Sequence, residues 1–146
     1  MKPRILIADD DLTIRSLVSL RLGLASFEVL SAENGRDALD MIHEKEPIAV
    51  ILDVKMPGGG LETLDAIKAN PATRKMPVMM LSGERDPGTV MGAMGAGAAD
   101  YMVKPFNPEQ LLERVNRLVA SSEMVWKQKS ATPAATAAPG APVWEL

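Results

Sequence analysis

Short apolar runs alternate along the chain with stretches in which apolar residues recur every three or four positions. The runs IAVIL and VMML contain no polar residue, which is typical of strands buried on both faces. Strands that alternate with helices indicate a parallel sheet covered by helices on both sides. The pattern predicts five strands, at Arg4–Ala8, Phe27–Ser31, Ile48–Leu52, Val78–Leu81 and Ala99–Val103.

Five helices are predicted to follow these strands. The last has the clearest start, because Asn107 can cap it, Pro108 suits the first helical position and Gln110 completes a capping box. Asp86-Pro87 marks a similar start for the fourth, whereas the third begins in three glycines without a good cap. The predicted apolar stripes are Ile14, Leu17, Val18 and Leu24; Ala38, Leu39 and Ile42; Leu61, Leu64 and Ile67; Val90, Ala93 and Met94; and Leu111, Leu112, Val115, Leu118 and Val119.

The length of 146 residues fits one domain with a tail. From Ser130 onward the chain is rich in Ala, Pro and Thr without periodicity, which predicts a linker or a disordered tail. The preceding SSEMVWKQK could continue the last helix, and its short apolar seam leaves a coiled-coil dimer open. We therefore predict a domain at residues 1–122 and an extension at 123–146.

Composition narrows the class of protein. The chain is 47% hydrophobic with a net charge of −3, as in ordinary globular domains. It has no basic patch for nucleic acid, no apolar run near the ~20 residues of a membrane span, and too few apolar residues before its first acids for a secretory signal. The lack of cysteine excludes disulfides and thiol chemistry. We expect a cytoplasmic protein whose domain binds neither nucleic acid nor membrane.

Acidic and polar residues follow four of the predicted strands. Asp9 and Asp10 follow strand one, Asp53 follows strand three, Ser82 strand four and Lys104 strand five. Because ligands in open parallel sheets bind outside the carboxyl ends of the strands, these side chains are expected to converge.

Three neighbouring carboxylates raise one another's pKa unless a cation keeps them ionised. Mg²⁺ suits such oxygen ligands, with Mn²⁺ as an alternative. Together with a hydroxyl and an ammonium, the set is typical of phosphoryl transfer, in which catalysis is mostly positioning and charge neutralisation. In this interpretation Asp53 attacks phosphorus to form an acyl phosphate, Lys104 pairs with one phosphoryl oxygen and Ser82 donates a hydrogen bond to another.

Other polar residues nearby have simpler structural explanations. Asp11 is best explained as the cap of the first helix, Tyr101 as a packed side chain of the last strand, and His43 as a surface residue near a helix C-terminus. Each candidate site residue could singly be a turn, loop or solvated residue. Their joint occurrence at four strand ends favours a site.

Residues 4 to about 120 resemble the receiver domain of two-component response regulators, the CheY-like superfamily. The motifs LIADDD, VILDVKMP, MMLSG and GAADYMVKPF stand in the order and spacing of that family. The resemblance implies a flavodoxin-like (βα)5 fold, a three-layer sandwich with a parallel sheet of order 2-1-3-4-5. It also implies a signalling phosphoacceptor of a phosphorelay that catalyses only its own phosphorylation and dephosphorylation, not an enzyme with a separate substrate.

The resemblance assigns the acceptor and the metal ligands. Asp53 would take the phosphoryl group from a phosphohistidine of a sensor histidine kinase or a histidine phosphotransfer protein. Asp10, Asp53 and the backbone carbonyl of Lys55 would bind Mg²⁺ directly, and Asp9 would act mainly through water.

The resemblance also assigns a switch. Ser82 and Tyr101 would be the switch pair, Lys104 would bind the phosphoryl group, and the Lys104–Pro105 peptide would be cis. The surface of helix four, strand five and helix five would then change its preference for a downstream protein target, or form a homodimer.

The stretch MPGGGLETL departs from the commonest family form by one missing residue. Its three glycines predict a mobile loop after strand three, and the side chains of Lys55 and Glu84 flank the site. No output domain follows, so we expect either a receiver that acts alone or a piece of a longer chain.

Two rival interpretations remain open. DDDLT also fits the D-x-D-x-T signature of haloacid-dehalogenase-like phosphatases, with Asp9 as nucleophile and Asp11 as acid/base, but that interpretation leaves Asp53 without a role. It would also need a further acidic motif after the lysine, where only Glu109, Glu113 and Glu123 follow at helical spacing. The other rival is a receiver fold used as an unphosphorylated binding module.

Overall fold

A computed structural model describes the backbone of residues 2–135 and the side chains of residues 2–121. This part of the chain contains five strands and five helices, and each predicted strand agrees with the structure to within one residue at either end. The elements are β1 Arg4–Ala8, α1 Leu12–Leu24, β2 Glu28–Ala32, α2 Gly35–Lys45, β3 Ala49–Asp53, α3 Gly60–Ala69, β4 Val78–Ser82, α4 Pro87–Gly95, β5 Asp100–Val103 and α5 Pro108–Ala135.

The five strands form one parallel sheet in the order β2-β1-β3-β4-β5. This confirms the predicted flavodoxin-like topology. The strand order reverses direction at β1, which pairs with β2 on one side and β3 on the other. The crevice outside the carboxyl ends of β1 and β3 is where ligands bind in such sheets.

A separate hydrophobic core covers each face of the sheet. On one face Leu6 of β1 packs in a cluster with Leu64 of α3. On the other face Ile5 lies in a cluster with Val18 of α1 and Val115 of α5. Because side chains alternate along a strand, β1, β3 and β4 need apolar residues at nearly every position, and this explains their unbroken runs.

The predicted core face of α1 is partly wrong. Leu17 is 36% exposed and Leu24 is 73% exposed, whereas Val18 and Leu22 are fully buried and Ile14 is half-buried. The buried stripe repeats every four residues, and Leu24 lies about a third of a turn away from Val18 around the helix.

The apolar residues of α4 are also less buried than predicted. Ala93 is buried, but Met94 is 44% exposed and Met91 is 71% exposed. Met94 belongs to the apolar stripe identified in the sequence but lies outside the buried face, because this short helix buries a narrower stripe than its sequence suggests.

The last helix, α5, extends beyond the predicted domain boundary at residue 122. Its backbone stays helical through SSEMVWKQK, a continuation that the sequence left open, and runs to Ala135. The prediction of a tail from Ser130 is thus wrong for residues 130–135, and the remainder of that tail lies outside the described residues. Leu111, Val115 and Leu118 are buried against the rest of the domain, so this half of the seam is not free for a coiled coil. Within the described residues, no helix combines the length and apolarity needed to cross a bilayer.

The three glycines after β3 allow close packing. Gly58 and Gly59 have positive φ angles of 87° and 76°, a conformation that favours glycine. The amide of Gly60 donates to the carbonyl of Val54 at 2.9 Å, and the amide of Gly35 in α2 donates to the carbonyl of Pro57 at 2.9 Å. As predicted, no side chain caps α3. The glycines thus have a structural role, in a loop tied to β3 and to α2.

We expect Gly60→Ala to lower the free energy of unfolding by about 2 kcal/mol, because a β-carbon there would overlap the carbonyl oxygen of Asp53. Gly92→Ala is the matched control, since a β-carbon in the middle of α4 meets no atom within 4 Å. It should raise stability by roughly 0.5–1 kcal/mol. Urea unfolding at fixed pH measures both, and equal effects of the two substitutions would contradict the packing explanation.

Candidate functional site

The predicted residues converge at the carboxyl edge of the sheet. Asp9, Asp10 and Asp53 each place a carboxylate oxygen within 4.8 Å of the others. The ammonium of Lys104 lies 2.7 Å from Oδ2 of Asp9 and 3.5 Å from Oδ1 of Asp53. Ser82, the last residue of β4, is buried beside this group at the same edge.

The donor set fits a hard divalent cation. Asp9 and Asp53 are 0% and 4% exposed, while Asp10 is exposed. The three oxygens lie within 4.8 Å of one another, near enough for small side-chain movements to bring them around one Mg²⁺ ion, which holds its oxygen ligands at about 2.0–2.1 Å. Oδ2 of Asp9 is buried and pairs with the ammonium of Lys104 at 2.7 Å. Three carboxylates against one ammonium leave negative charge that a cation would neutralise.

The pKa of Asp53 is raised from 3.8 to about 6. Burial is the main cause, and the charge of Asp9 adds to it, while the charge of Lys104 and a 3.4 Å hydrogen bond from the amide of Lys55 act in the opposite direction. A carboxyl group with this pKa is mostly ionised at neutral pH, but burial and the charge of Asp9 destabilise the ionised form. At neutral pH Asp53 is therefore mostly charged, and a nearby cation would stabilise its carboxylate.

Lys104 remains a cation in this pocket. Burial alone would lower its pKa, but its contacts with Asp9 and Asp53 outweigh burial and raise that pKa above the ordinary value. Its amide also donates to the carbonyl of Ser82 at 2.7 Å, which holds the start of the following loop beside β4. The peptide to Pro105 is cis, as the resemblance implied.

Glu84 joins the two predicted switch residues through its main chain. Its amide donates to Oγ of Ser82 at 3.0 Å, which leaves the Ser82 hydroxyl proton free to donate elsewhere. The hydroxyl of Tyr101, a residue buried in the core, donates to the Glu84 carbonyl at 2.8 Å. The Glu84 side chain pairs with Lys55 at 3.0 Å across the mouth of the site. Sequence reasoning expected these side chains to flank the site but missed the main-chain contacts.

Residues next to the carboxylate cluster make contacts that stabilise the loop after β1 and the start of α1. Oδ1 of Asp11 accepts the amide of Thr13 at 2.8 Å, so Asp11 caps α1 as predicted. Arg15, which sequence reasoning missed, donates from its guanidinium to the carbonyl of Asp9 at 2.8 Å. His43 is exposed in the last turn of α2, in agreement with its predicted surface role. The phosphatase interpretation finds no support, because Asp11, its proposed acid/base, accepts a hydrogen bond from Thr13 as the cap of α1.

Comparison with known proteins identifies relatives of this architecture. The family model described as "Response regulator receiver domain" matches residues 5–116. The phosphate regulon transcriptional regulatory protein PhoB of Pseudomonas aeruginosa is 33% identical over 116 residues, which cover 79% of this chain and 51% of PhoB. The chain spans about half the length of the curated relatives that it matches first.

Solved structures agree with this assignment. The chemotaxis response regulator CheY4 of Vibrio cholerae superposes with a TM-score of 0.76 at 34% identity, over 81% of this chain and 99% of that one. NtrX from Brucella abortus superposes with a TM-score of 0.78 at 32% identity, over 88% of this chain but 30% of its own. The fold thus occurs both as a whole protein and as part of a longer one.

Proposed function

Because this chain belongs to the family of response regulator receiver domains, we propose that it is a phosphoacceptor that takes a phosphoryl group onto Asp53. The donor is a phosphohistidine on a sensor histidine kinase or a histidine phosphotransfer protein, and the reaction depends on Mg²⁺, with Mn²⁺ as a substitute. The observation that carries this proposal is the convergence of Asp9, Asp10, Asp53 and Lys104 at one edge of the sheet.

The proposed reaction is an in-line displacement at phosphorus. An oxygen of Asp53 forms the new bond to phosphorus, the bond from phosphorus to the histidine nitrogen breaks, and that nitrogen leaves with its electron pair and takes a proton. Lys104 stays protonated and neutralises a phosphoryl oxygen, while the Ser82 hydroxyl donates to another. Asp9, Asp10, Asp53 and the carbonyl of Lys55 would hold the cation, which supplies further charge neutralisation.

The proposed output is a change in the surface of α4, β5 and α5. Ser82 and Tyr101 both contact the main chain of Glu84, so a hydroxyl that turns toward a phosphoryl group would disturb the segment that leads into α4. The phosphoryl group would favour the active state only by its differential contacts there. A downstream protein target, or a second copy of the chain, would recognise the changed surface.

We propose that this domain makes no contact with nucleic acid, although the related PhoB is described as a transcriptional regulatory protein. We also propose that the chain acts on no separate substrate. The alternative of an unphosphorylated binding module is less favoured because Asp9, Asp10, Asp53 and Lys104 converge at one edge of the sheet.

Intact-mass measurement after incubation with Mg²⁺ and acetyl phosphate tests the proposal. We expect one acid-stable, base-labile phosphoryl adduct in the wild type and in Asp11→Ala, and none in Asp53→Ala or in the absence of divalent cation. An adduct that persists in Asp53→Ala but is lost in Asp9→Ala would point to the phosphatase-like nucleophile instead. No adduct with any donor, phosphohistidine included, would favour the binding module.

A further inference from the structure

Arg15 makes an unexpected contact at the end of β1. The residue lies in α1 and is half-buried, and it borders a cleft of about 320 Å³ lined also by Glu33, Asp37 and Asp40. No carboxylate of the described residues forms an ion pair with it. It donates instead to a main-chain oxygen, the carbonyl of Asp9, at 2.8 Å. The side chain is thus used to hold a peptide group rather than to balance a nearby acid.

The carbonyl of Asp9 needs a donor that the sheet does not supply. The pairing of β1 with its neighbours ends at Ala8, and the last contact beyond it is the amide of Asp9, which donates to Ala32 at 3.1 Å. Asp9 is completely buried, and a buried carbonyl without a partner is costly. The guanidinium of Arg15 satisfies it with a charge-assisted hydrogen bond, a strong class of contact.

This contact fixes one of the two peptide groups that flank Asp10. The peptide before Asp10 contains the Asp9 carbonyl held by Arg15, and the peptide after it contains the Asp11 amide, which donates to Oδ1 of Asp9 at 2.9 Å. The carboxylate of Asp10 is exposed and makes no hydrogen bond or ion pair within the described residues. Its direction therefore depends on its own main chain, which is anchored on both sides.

We propose that Arg15 is a positioning residue that aims the carboxylate of Asp10 at the divalent cation without touching the cation. The inference rests on the proposed function, because that function supplies the cation. Arg15 could affect the cation through its charge or through its positioning of Asp10, and these two explanations predict opposite changes in cation affinity when Arg15 is removed. Loss of a nearby positive charge would strengthen cation binding, whereas loss of an outer-shell partner typically weakens it by 10–100-fold. Because Arg15 acts through the main chain, we expect about tenfold weaker binding, at the low end of that range.

Titration calorimetry of MgCl₂ into the unphosphorylated full chain tests the inference. Arg15→Met keeps the apolar stem and removes the donor, and it should weaken Mg²⁺ binding about tenfold. Arg15→Lys restores a donor and the charge and should recover most of the affinity. Arg21→Met is the matched control, since Arg21 lies in the same helix but pairs with Glu109 of α5, and it should bind Mg²⁺ like the wild type.

The outcomes separate the two proposals. Wild-type affinity or tighter binding in a folded Arg15→Met, as judged by its urea midpoint with EDTA, overturns the role of Arg15. If Arg15→Met does not fold, Arg15→Gln gives the same comparison, because its shorter side chain does not span the distance to the Asp9 carbonyl. A wild type that binds no Mg²⁺ overturns both this inference and the metal dependence of the proposed function. Adduct formation on Asp53 is measured separately and does not depend on the Arg15 result.

Discussion

Replacing Lys104 by methionine should lower the free energy of unfolding of the metal-free protein by about 3 kcal/mol at pH 8. The ammonium of Lys104 lies between Asp9 and Asp53, and both carboxylates are buried. Without it, two buried negative charges face each other with no cation, which is the costly way to break a buried ion pair. The loss should shrink at pH 5, because Asp53 then takes up a proton. Urea unfolding with EDTA at the two pH values measures the difference.

Lys55→Met is the matched control for this substitution. Lys55 stands at the mouth of the same site, but its ion pair with Glu84 is largely solvent-exposed, and such pairs contribute less than about 1 kcal/mol. Addition of Mg²⁺ should stabilise Lys104→Met more than the wild type, since the metal would replace the lost positive charge. A Lys104→Met protein as stable as Lys55→Met in EDTA would contradict the electrostatic account of the site.

Replacing Asp53 by asparagine should stabilise the metal-free protein by about 2 kcal/mol at pH 8. The pKa of Asp53 is raised from 3.8 to about 6, chiefly by burial and then by the charge of Asp9. A raised carboxyl pKa means that the folded state holds the proton more tightly than the unfolded state, so stability is lost as pH rises through about 4 to 6. The shift, which already includes the attraction to Lys104, corresponds to about 3 kcal/mol, and from this we subtract the cost of burying the asparagine amide.

The pH dependence distinguishes this explanation from a general effect of asparagine. The stability difference between Asp53→Asn and the wild type should grow from pH 4 to pH 6 and stay constant above that. Asp40→Asn, at an exposed position of α2, should change stability by less than about 0.5 kcal/mol at every pH. A difference independent of pH, or one that grows as the pH falls, would show that Asp53 is not a strained carboxylate.

The position of the site could be predicted from sequence because it follows from topology. The carboxyl ends of parallel strands gather at one edge whatever the details of packing, so Asp9, Asp53, Ser82 and Lys104 were expected together and are found together. The cap at Asp11 was predictable for a similar reason, since its contact with Thr13 is local in the chain.

The features that sequence reasoning missed depend on main-chain hydrogen bonds or on how a helix packs against the rest of the fold. Arg15 and Glu84 act on carbonyl or hydroxyl oxygens whose need for a partner appears only once the fold is known. Leu24 was misplaced because leucines occur on several sides of α1, and only the packing of Val18 and Leu22 selects the buried side. Gly60 was interpreted as a flexible residue, whereas its lack of a β-carbon allows α3 to begin against the carbonyl of Asp53.

The central claim is that Asp53 receives the phosphoryl group, and chemical mapping of the acceptor tests it most directly. Borohydride reduction of the phosphorylated protein converts an acyl-phosphorylated aspartate to homoserine, and tryptic cleavage then separates the candidates. Asp53 falls in the peptide of residues 46–55, while Asp9, Asp10 and Asp11 share the peptide of residues 5–15. We predict homoserine at position 53 and unmodified aspartates in the 5–15 peptide. Homoserine in the 5–15 peptide, with Asp53 unmodified, would contradict the account.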